Sequence, residues 1–229
     1  MGKQRPSWAE HAENLYKRGA FRSAALAFRV SLLQAPSSHH LMVMFARSLE
    51  KVNLHSPFLN YARKATMLAP EKLEAWRIFA QGAFNQRELG RAAAAASRQT
   101  ILEPGNSSGG LMLARVRFEN RELDLCLGSL ERAVVLAPSD KFPRMAQARC
   151  LFRLGRPHEA LQAGEIAREF GAKLDEFGFD LCRIARAANR PNIAEALLDK
   201  LELMDGKFTG KRQILDLTVS VDDLRAKRP

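Results

Sequence analysis

The chain of 229 residues is strongly basic, with 36 Lys and Arg against 25 Asp and Glu, a net charge of +11 and a pI of about 10.1. Its hydrophobic content of 46% is that of a folded soluble protein and excludes a disordered one. No apolar run reaches the roughly 18 residues needed to cross a bilayer, and the polar start lacks the apolar segment of a secretory signal. We therefore expect a folded cytoplasmic protein without membrane insertion.

Cysteine and histidine do not indicate a disulfide framework or a metal site. Cys126, Cys150 and Cys182 are few and scattered, and none belongs to a Cys-x-x-Cys pair. The adjacent His39 and His40 have no acidic or cysteine ligand four residues further on. The chain also lacks a glycine-rich phosphate loop, a nucleophile elbow and a zinc signature. We expect no metal, no cofactor and no catalytic residues.

Four prolines, Pro36, Pro70, Pro104 and Pro138, recur at a constant spacing of 34 residues. With this proline as the thirty-second residue of a 34-residue window, the eighth residue is small in six windows: Ala12, Ala46, Ala80, Ala114, Ala148 and Cys182. The helices of a hairpin come closest where a small residue lies between them. The sequence therefore predicts six helical hairpins, over about 5–38, 39–72, 73–106, 107–140, 141–174 and 175–208.

Other window positions repeat as well. Trp8 and Trp76 open two windows, Phe58 breaks the column at the twentieth position, and the other windows have a small residue there: Ala24, Ala92, Cys126, Ala160 and Ala194. With its period, this pattern resembles the tetratricopeptide repeat (TPR) family over about nine-tenths of the chain. The resemblance implies an all-α, right-handed superhelical solenoid of about six TPR repeats over 1–206, whose concave wall is lined by first helices.

The turns inside the repeats can also be predicted. Residues that accept the left-handed cap conformation occur where four of the first helices should end: Gly19, Asn53, Gly155 and Asn189. Arg87 and Arg121 occupy this position in the third and fourth windows, so we expect less well-made caps there.

A run of small residues, Gly-Asn-Ser-Ser-Gly-Gly at 105–110, opens the fourth window. We expect it to delay the first helix of that window and to produce a bend between the third and fourth repeats. A slightly longer loop is the alternative.

The ninth window position carries the clearest candidate for function, because four of six windows have arginine there: Arg47, Arg115, Arg149 and Arg183. Arg77, one turn before Gln81, can fill the gap in the third window. Arginine binds carboxylates with a rigid pair of donors. The alternative is structural, in which each arginine pairs with a neighbouring acid: Glu50, Glu119 or Asp180.

Apolar residues accompany the arginines at the concave positions that the resemblance implies. These candidate contact residues are Met44, Phe84, Met112, Phe118, Met145, Phe152 and Phe179. Methionines on a groove are adaptable contact surface, whereas buried methionines fill gaps in a core. The combination predicts a protein-protein interaction adaptor that binds an acidic segment of a partner in an arginine- and aromatic-lined groove.

The sequence also bears on three other functions. Arginine and aromatic residues together also suit nucleic acid, although no paired specificity code is evident. The TPR subclass that holds the carboxyl terminus of heat-shock chaperones needs Lys and Asn, and the corresponding positions here are Ala9, Glu13, Met44, Glu74 and Ile78. A self-assembling scaffold is the third, through a homo-oligomer formed by the tail at 207–229. In this tail Leu215, Leu217, Val219 and Val221 alternate as in a strand, or else the tail is disordered.

Overall fold

The computed structural model describes residues 7–204, and this part of the chain is helical with no strand. Twelve helices follow one another in it: α1 Trp8–Lys17, α2 Phe21–Gln34, α3 His39–Lys51, α4 His55–Leu68, α5 Leu73–Asn85, α6 Leu89–Leu102, α7 Ser107–Glu119, α8 Leu123–Leu136, α9 Lys141–Arg153, α10 Pro157–Glu169, α11 Leu174–Ala187 and α12 Pro191–Met204. The all-α prediction is confirmed. The predicted strand-like or disordered tail lies outside the described residues. That the tail forms a homo-oligomer therefore stays a prediction.

Each predicted window contains one pair of helices. The first helices of the second to fifth repeats begin at His39, Leu73, Ser107 and Lys141, and these starts are 34 residues apart. The two helices pack against each other in the first, second, third, fifth and sixth repeats, and α2, α4, α8 and α10 also pack on the first helix that follows each of them. None of the helices within residues 7–204 is long and apolar enough to cross a membrane.

The chain divides into two compact units, Met1–Val116 and Arg117–Pro229. The first contains α1 to α6 and most of α7, and the second contains the end of α7 and α8 to α12. The single repeat domain over 1–206 stays a prediction.

The small residues at the eighth window position are buried in every repeat. Their exposed fractions are 0 or 1% in all six repeats: Ala12, Ala46, Ala80, Ala114, Ala148 and Cys182. A larger side chain there would push the two helices apart, since interiors are close-packed. The six positions at which the sequence predicted a small residue between helices are therefore all buried.

Phe58, which breaks the column of small residues at the twentieth position, is accommodated by a glycine on the next first helix. A Cβ at Gly82 would lie 2.6 Å from Phe58 Cε1 and 3.3 Å from Leu59 Cδ1. Phe58 is 1% exposed, so its ring fills the volume that the missing side chain leaves. The large residue and the glycine compensate each other across α4 and α5.

Every first helix ends in the same left-handed turn. Positive φ values between 55° and 78° recur at Gly19, Asn53, Arg87, Arg121, Gly155 and Asn189. The expectation that the caps at the two arginines are less well made is wrong, because their hydrogen bonds are formed. The Arg121 N–H donates to Phe118 O at 3.1 Å, and the Glu122 N–H donates to Arg117 O at 2.9 Å. Gly155 makes the equivalent bond to Phe152 O at 3.1 Å. The position of the turn in the repeat determines its conformation, and a side chain only adds strain.

The run at 105–110 does not delay the fourth first helix, and this expectation is wrong. Helix α7 begins at Ser107, the same window position as Leu73 in α5. Asn106 Oδ1 accepts a hydrogen bond from the Ser108 N–H at 2.9 Å and so organises the first turn. Gly109 lies inside the helix, and a Cβ there would be 3.0 Å from Gln99 Cβ and from the Thr100 nitrogen, so α7 comes close to α6 at this glycine. The bend between repeats three and four stays a prediction.

Replacing Gly82 with Ala should lower the free energy of unfolding by about 1–3 kcal/mol, since the new methyl group would overlap Phe58. Combining Gly82→Ala with Phe58→Leu should cost less than the two changes added together. Gly128→Ala is the matched control, because a Cβ there meets nothing within 4 Å, and it should stabilise the protein by about 0.5–1 kcal/mol. Denaturant titration gives the free energy of unfolding of the two single variants, the double variant and the control. Equal stabilisation by both alanines would contradict the packing described.

Arg121→Gly should raise the free energy of unfolding by about 0.5–1 kcal/mol, because glycine adopts a φ of 62° without the clash that a Cβ makes. The reverse change at the equivalent turn, Gly155→Arg, should lower it by a similar amount. Thermal and denaturant unfolding measure both variants. No change in either variant would show that these turns carry no strain.

Candidate functional site

The second unit contains a pocket of about 210 Å³ built from the first helices of its repeats. Its lining comes from the end of α7 and from α9 and α11: Phe118, Arg149, Phe152, Arg153, Asp180, Arg183 and Ile184. Phe152 and Arg153 come three and four residues after Arg149, and Arg183 and Ile184 come three and four residues after Asp180, so each set shares one side of its helix. The pocket therefore lies on the face where the sequence predicted a binding surface.

Guanidinium groups lie over aromatic rings throughout this pocket. Arg153 Cζ is 5.5 Å from the centre of the Phe118 ring, and Arg183 Cζ is 5.6 Å from that of Phe152. Arg149 Cζ is 5.3 Å from the ring of Phe177, which is buried beneath. Such contacts contribute about 0.5–1 kcal/mol at exposed sites and hold the flexible arginine side chains in place.

Only one acidic residue is part of the lining. Asp180 Oδ2 accepts a hydrogen bond from Arg149 Nε at 2.5 Å. Asp180 is one of the three acids with which the sequence suggested a purely structural ion pair. The side chains of Arg149 and Asp180 are 43 and 34% exposed, and ion pairs this exposed contribute about 0–1 kcal/mol. Three guanidinium groups against one carboxylate leave two positive charges uncompensated in the lining.

Arg183 has a buried donor without an acceptor. Its Nε is shielded from solvent and makes no hydrogen bond with any residue that the structure describes. A buried donor without a partner costs about 1–3 kcal/mol, so an acceptor supplied by a bound molecule would offset a penalty already present.

The candidate arginines of the first unit are in different surroundings. Arg47 Nη2 lies 2.6 Å from Glu74 Oε1, so its partner is Glu74 and not the Glu50 that the sequence suggested. Arg115 Cζ is 4.2 Å from the centre of the Phe84 ring, and Arg115 is exposed. Arg77 is exposed one turn before Gln81, and its predicted role in filling the gap at that position stays a prediction.

The predicted apolar contact residues are mostly packed on the core. Met44 and Met112 are partly buried against the hydrophobic core of the first unit. Met145 is 5% exposed and belongs to the core, so it offers little surface to a partner and its role in binding stays a prediction. Phe179 is partly buried. Arg153 was not among the predicted contact residues. It occupies the thirteenth position of its window, which is one of the positions that the family resemblance assigns to the concave face.

The three cysteines are buried in the second unit. Cys150 Sγ donates to Leu123 O at 3.3 Å. A hydrogen bond with Cys150 and burial raise the pKa of the Cys126 thiol well above its ordinary value, and burial raises the pKa of Cys182 to about 11. No group of three or more His, Cys, Asp or Glu in residues 7–204 is arranged to hold a metal ion.

Iodoacetamide should modify Cys182 of the native protein very slowly at pH 8, because only about one thiol in a thousand is ionised when the pKa is about 11. The modification rate should rise with pH as the thiolate fraction increases. Mass spectrometry of the alkylated protein measures it, with the guanidinium-unfolded protein as the control. Native reaction at the unfolded rate would contradict the burial of Cys182.

Comparison with known proteins identifies the fold. No protein-family model and no curated sequence matches the chain. Solved structures are similar at probability 1.00: PilF of Pseudomonas aeruginosa has 15% identity and a TM-score of 0.73, covering 86% of this chain and 90% of its own.

Two further similar structures are described as TPR proteins. TTC0263 of Thermus thermophilus has 22% identity and a TM-score of 0.57, with 79% of this chain and 97% of that chain covered. YrrB, a TPR protein with an unusual peptide-binding site, has 21% identity and a TM-score of 0.60, with 80 and 94% covered. The 34-residue period, the buried small column and these similarities together show that the chain has the tetratricopeptide-repeat fold.

Proposed function

We propose that the chain is a protein-interaction adaptor that binds an acidic segment of a partner protein through the pocket of its second unit. The observation that carries this proposal is the lining itself, in which three arginines surround two phenyl rings and only Asp180 supplies negative charge.

The charge of the lining favours a carboxylate as the ligand group. Asp180 on Arg149 is an internal example of the bond that a partner's carboxylate would make with Arg153 or Arg183. A charge-assisted hydrogen bond contributes about 1.5–3 kcal/mol where water is partly excluded. Phe118 and Phe152 exclude water from part of the pocket, because their rings lie beneath the guanidinium groups.

The size of the pocket favours side chains of a peptide over a cofactor. Its volume of about 210 Å³ is below the roughly 300–1,000 Å³ of pockets that enclose whole small molecules. Such a space suits one acidic side chain and an apolar neighbour, which would contact Phe118, Phe152 or Ile184.

Two further observations support the proposal. Arg115 over Phe84 repeats the arrangement of arginine and ring in the first unit, and the exposed guanidinium there offers a second place for an acidic side chain. YrrB, which has the same fold, is described by its peptide-binding site. The ion pairs of Arg47 and Arg149 are too exposed to explain the arginines by stability alone.

The test uses a fluorescent peptide of alternating Glu and Leu, and the same peptide with Gln in place of Glu. The protein should bind the acidic peptide at least about tenfold more tightly, or about 1.4 kcal/mol, and less tightly as salt rises. Arg153→Gln with Arg183→Gln should remove most of this preference, because both guanidinium groups lack an acidic partner in the pocket lining. Fluorescence anisotropy gives the dissociation constants.

The matched control is Arg132→Gln with Arg168→Gln, which removes two exposed charges from α8 and α10 in the same unit. This control should change peptide affinity less than about twofold, so that a specific effect of the pocket is separated from net charge. Equal loss of affinity in both double variants would contradict the proposal. A single-stranded RNA that displaces the peptide and loses affinity only in the pocket variant would favour nucleic acid instead.

A further inference from the structure

The second helices of the first unit end in exposed apolar side chains at one window position. Leu33, Met67 and Ile101 occupy the twenty-ninth position of the first three windows, and they are 81, 73 and 64% exposed. Neither the core nor the candidate pocket uses them, since the pocket lies in the second unit and is built from first helices. Their recurrence at one position of three successive second helices makes them a candidate contact surface.

The charge of the same helices is entirely positive. Helices α2, α4 and α6 contain no Asp or Glu. Four cations lie three or four residues before the apolar positions and so share their face: Arg29, Arg63, Lys64 and Arg98. Arg29, Arg63 and Lys64 are exposed and Arg98 is partly exposed. We call these four cations and the three apolar residues the second-helix face.

Local contacts leave the charge of this face in place. Lys64 Nζ lies 5.1 Å from the centre of the Tyr61 ring, which orients the ammonium group without neutralising it. Glu88 precedes α6, and its Oε2 accepts from Arg91 Nη1 at 2.7 Å, so this acid is engaged at the opposite end of the helix from Ile101.

The equivalent helices of the second unit do not share this character. Val135 is 78% exposed at the same window position, but Glu131 and Arg132 precede it with opposite charges. Glu169 replaces the apolar residue in α10, and Asp199 and Lys200 precede the exposed Leu203 in α12. The absence of acids from the second helices is therefore a property of the first unit, where Glu71 and Glu103 lie in the turns after α4 and α6. The repeat register alone does not produce it.

We propose that the second-helix face binds the surface of an anionic membrane. Leu33, Met67 and Ile101 would enter the headgroup region, and the neighbouring cations would lie on lipid phosphates. A fluid bilayer can surround separate projecting side chains, whereas a rigid partner would need a matching hole for each. Two copies paired symmetrically through this face would bring like charges together, which disfavours a second copy.

The experiment is co-sedimentation of the full chain with phosphatidylcholine vesicles that contain phosphatidylglycerol, and with phosphatidylcholine vesicles alone. Binding should require the anionic lipid and weaken as salt rises from about 0.05 to about 0.5 M, since screening shortens the range of the attraction. Replacing Leu33, Met67 and Ile101 together with Ser should lower the partition coefficient by at least about tenfold. Circular dichroism checks that the variant remains helical.

The control replaces three exposed apolar residues of the second unit with Ser: Leu125, Val135 and Leu203, which are 56, 78 and 88% exposed. The control should keep the partition coefficient within about twofold of the original chain, because acids accompany these positions. Absence of binding to anionic vesicles at low salt would overturn the proposal, and so would equal loss in both variants. Dimerisation of the original chain, lost only in the variant of the second-helix face, would make the face a contact between copies and also overturn it.

Discussion

The closest approach between the two helices of each repeat is the constraint on which the other features depend. A residue no larger than cysteine occupies this position in all six repeats and is at most 1% exposed. Because this contact orients the first helix, it also determines the direction of the neighbouring positions. In the fifth repeat, Ala148 is buried, Phe152 lies one turn further at the edge of the core, and Arg149 and Arg153 follow them toward solvent.

The same geometry explains why arginine and phenyl groups meet. The twelfth position is four residues from the buried eighth, so its ring is supported by the core, as Phe118 and Phe152 are. Arginines at the ninth or thirteenth position of the following repeat lie over these rings, as Arg153 does over Phe118 and Arg183 over Phe152. A rigid apolar floor and oriented charged groups above it result from one packing requirement. Ion pairs at this exposure add little stability, so the arrangement is better suited to recognition.

The charge of the second helices differs between the two units, although these helices occupy the same place in the 34-residue period of every repeat. Acids are absent from α2, α4 and α6 and present in α8, α10 and α12. Packing constrains the buried small and apolar positions and leaves exposed positions free to vary. Differences between repeats at exposed positions therefore carry information about partners that the core does not.

The sequence was sufficient to predict the helix pairs and their register, because period, proline and small residues all depend on local packing. The predictions were wrong where the conformation of a residue depends on the helices packed around it. Arg87 and Arg121 accept a left-handed turn because flanking helices impose it, and the glycine run at 105–110 joins α7 without delaying it.

The candidate site was predictable only in part, for a related reason. The arginine positions follow from the period, but pairing depends on rotamers and on the distance between repeats. Arg47 therefore meets Glu74 rather than Glu50, while Arg149 meets the expected Asp180. Met145 could not be assigned to the core from its window position alone, since burial there depends on the helices packed around it.

The central claim, that carboxylates bind the arginines of the pocket, is tested most directly by the NMR signals of the arginine Nε–H groups. During titration with an acidic peptide, the signal of Arg183 should shift and its exchange with water should slow, because its Nε lacks an acceptor in the free protein. The signal of Arg132, which is exposed on α8, should stay unchanged. Equal small shifts of all arginine signals, or none at Arg183, would contradict the account.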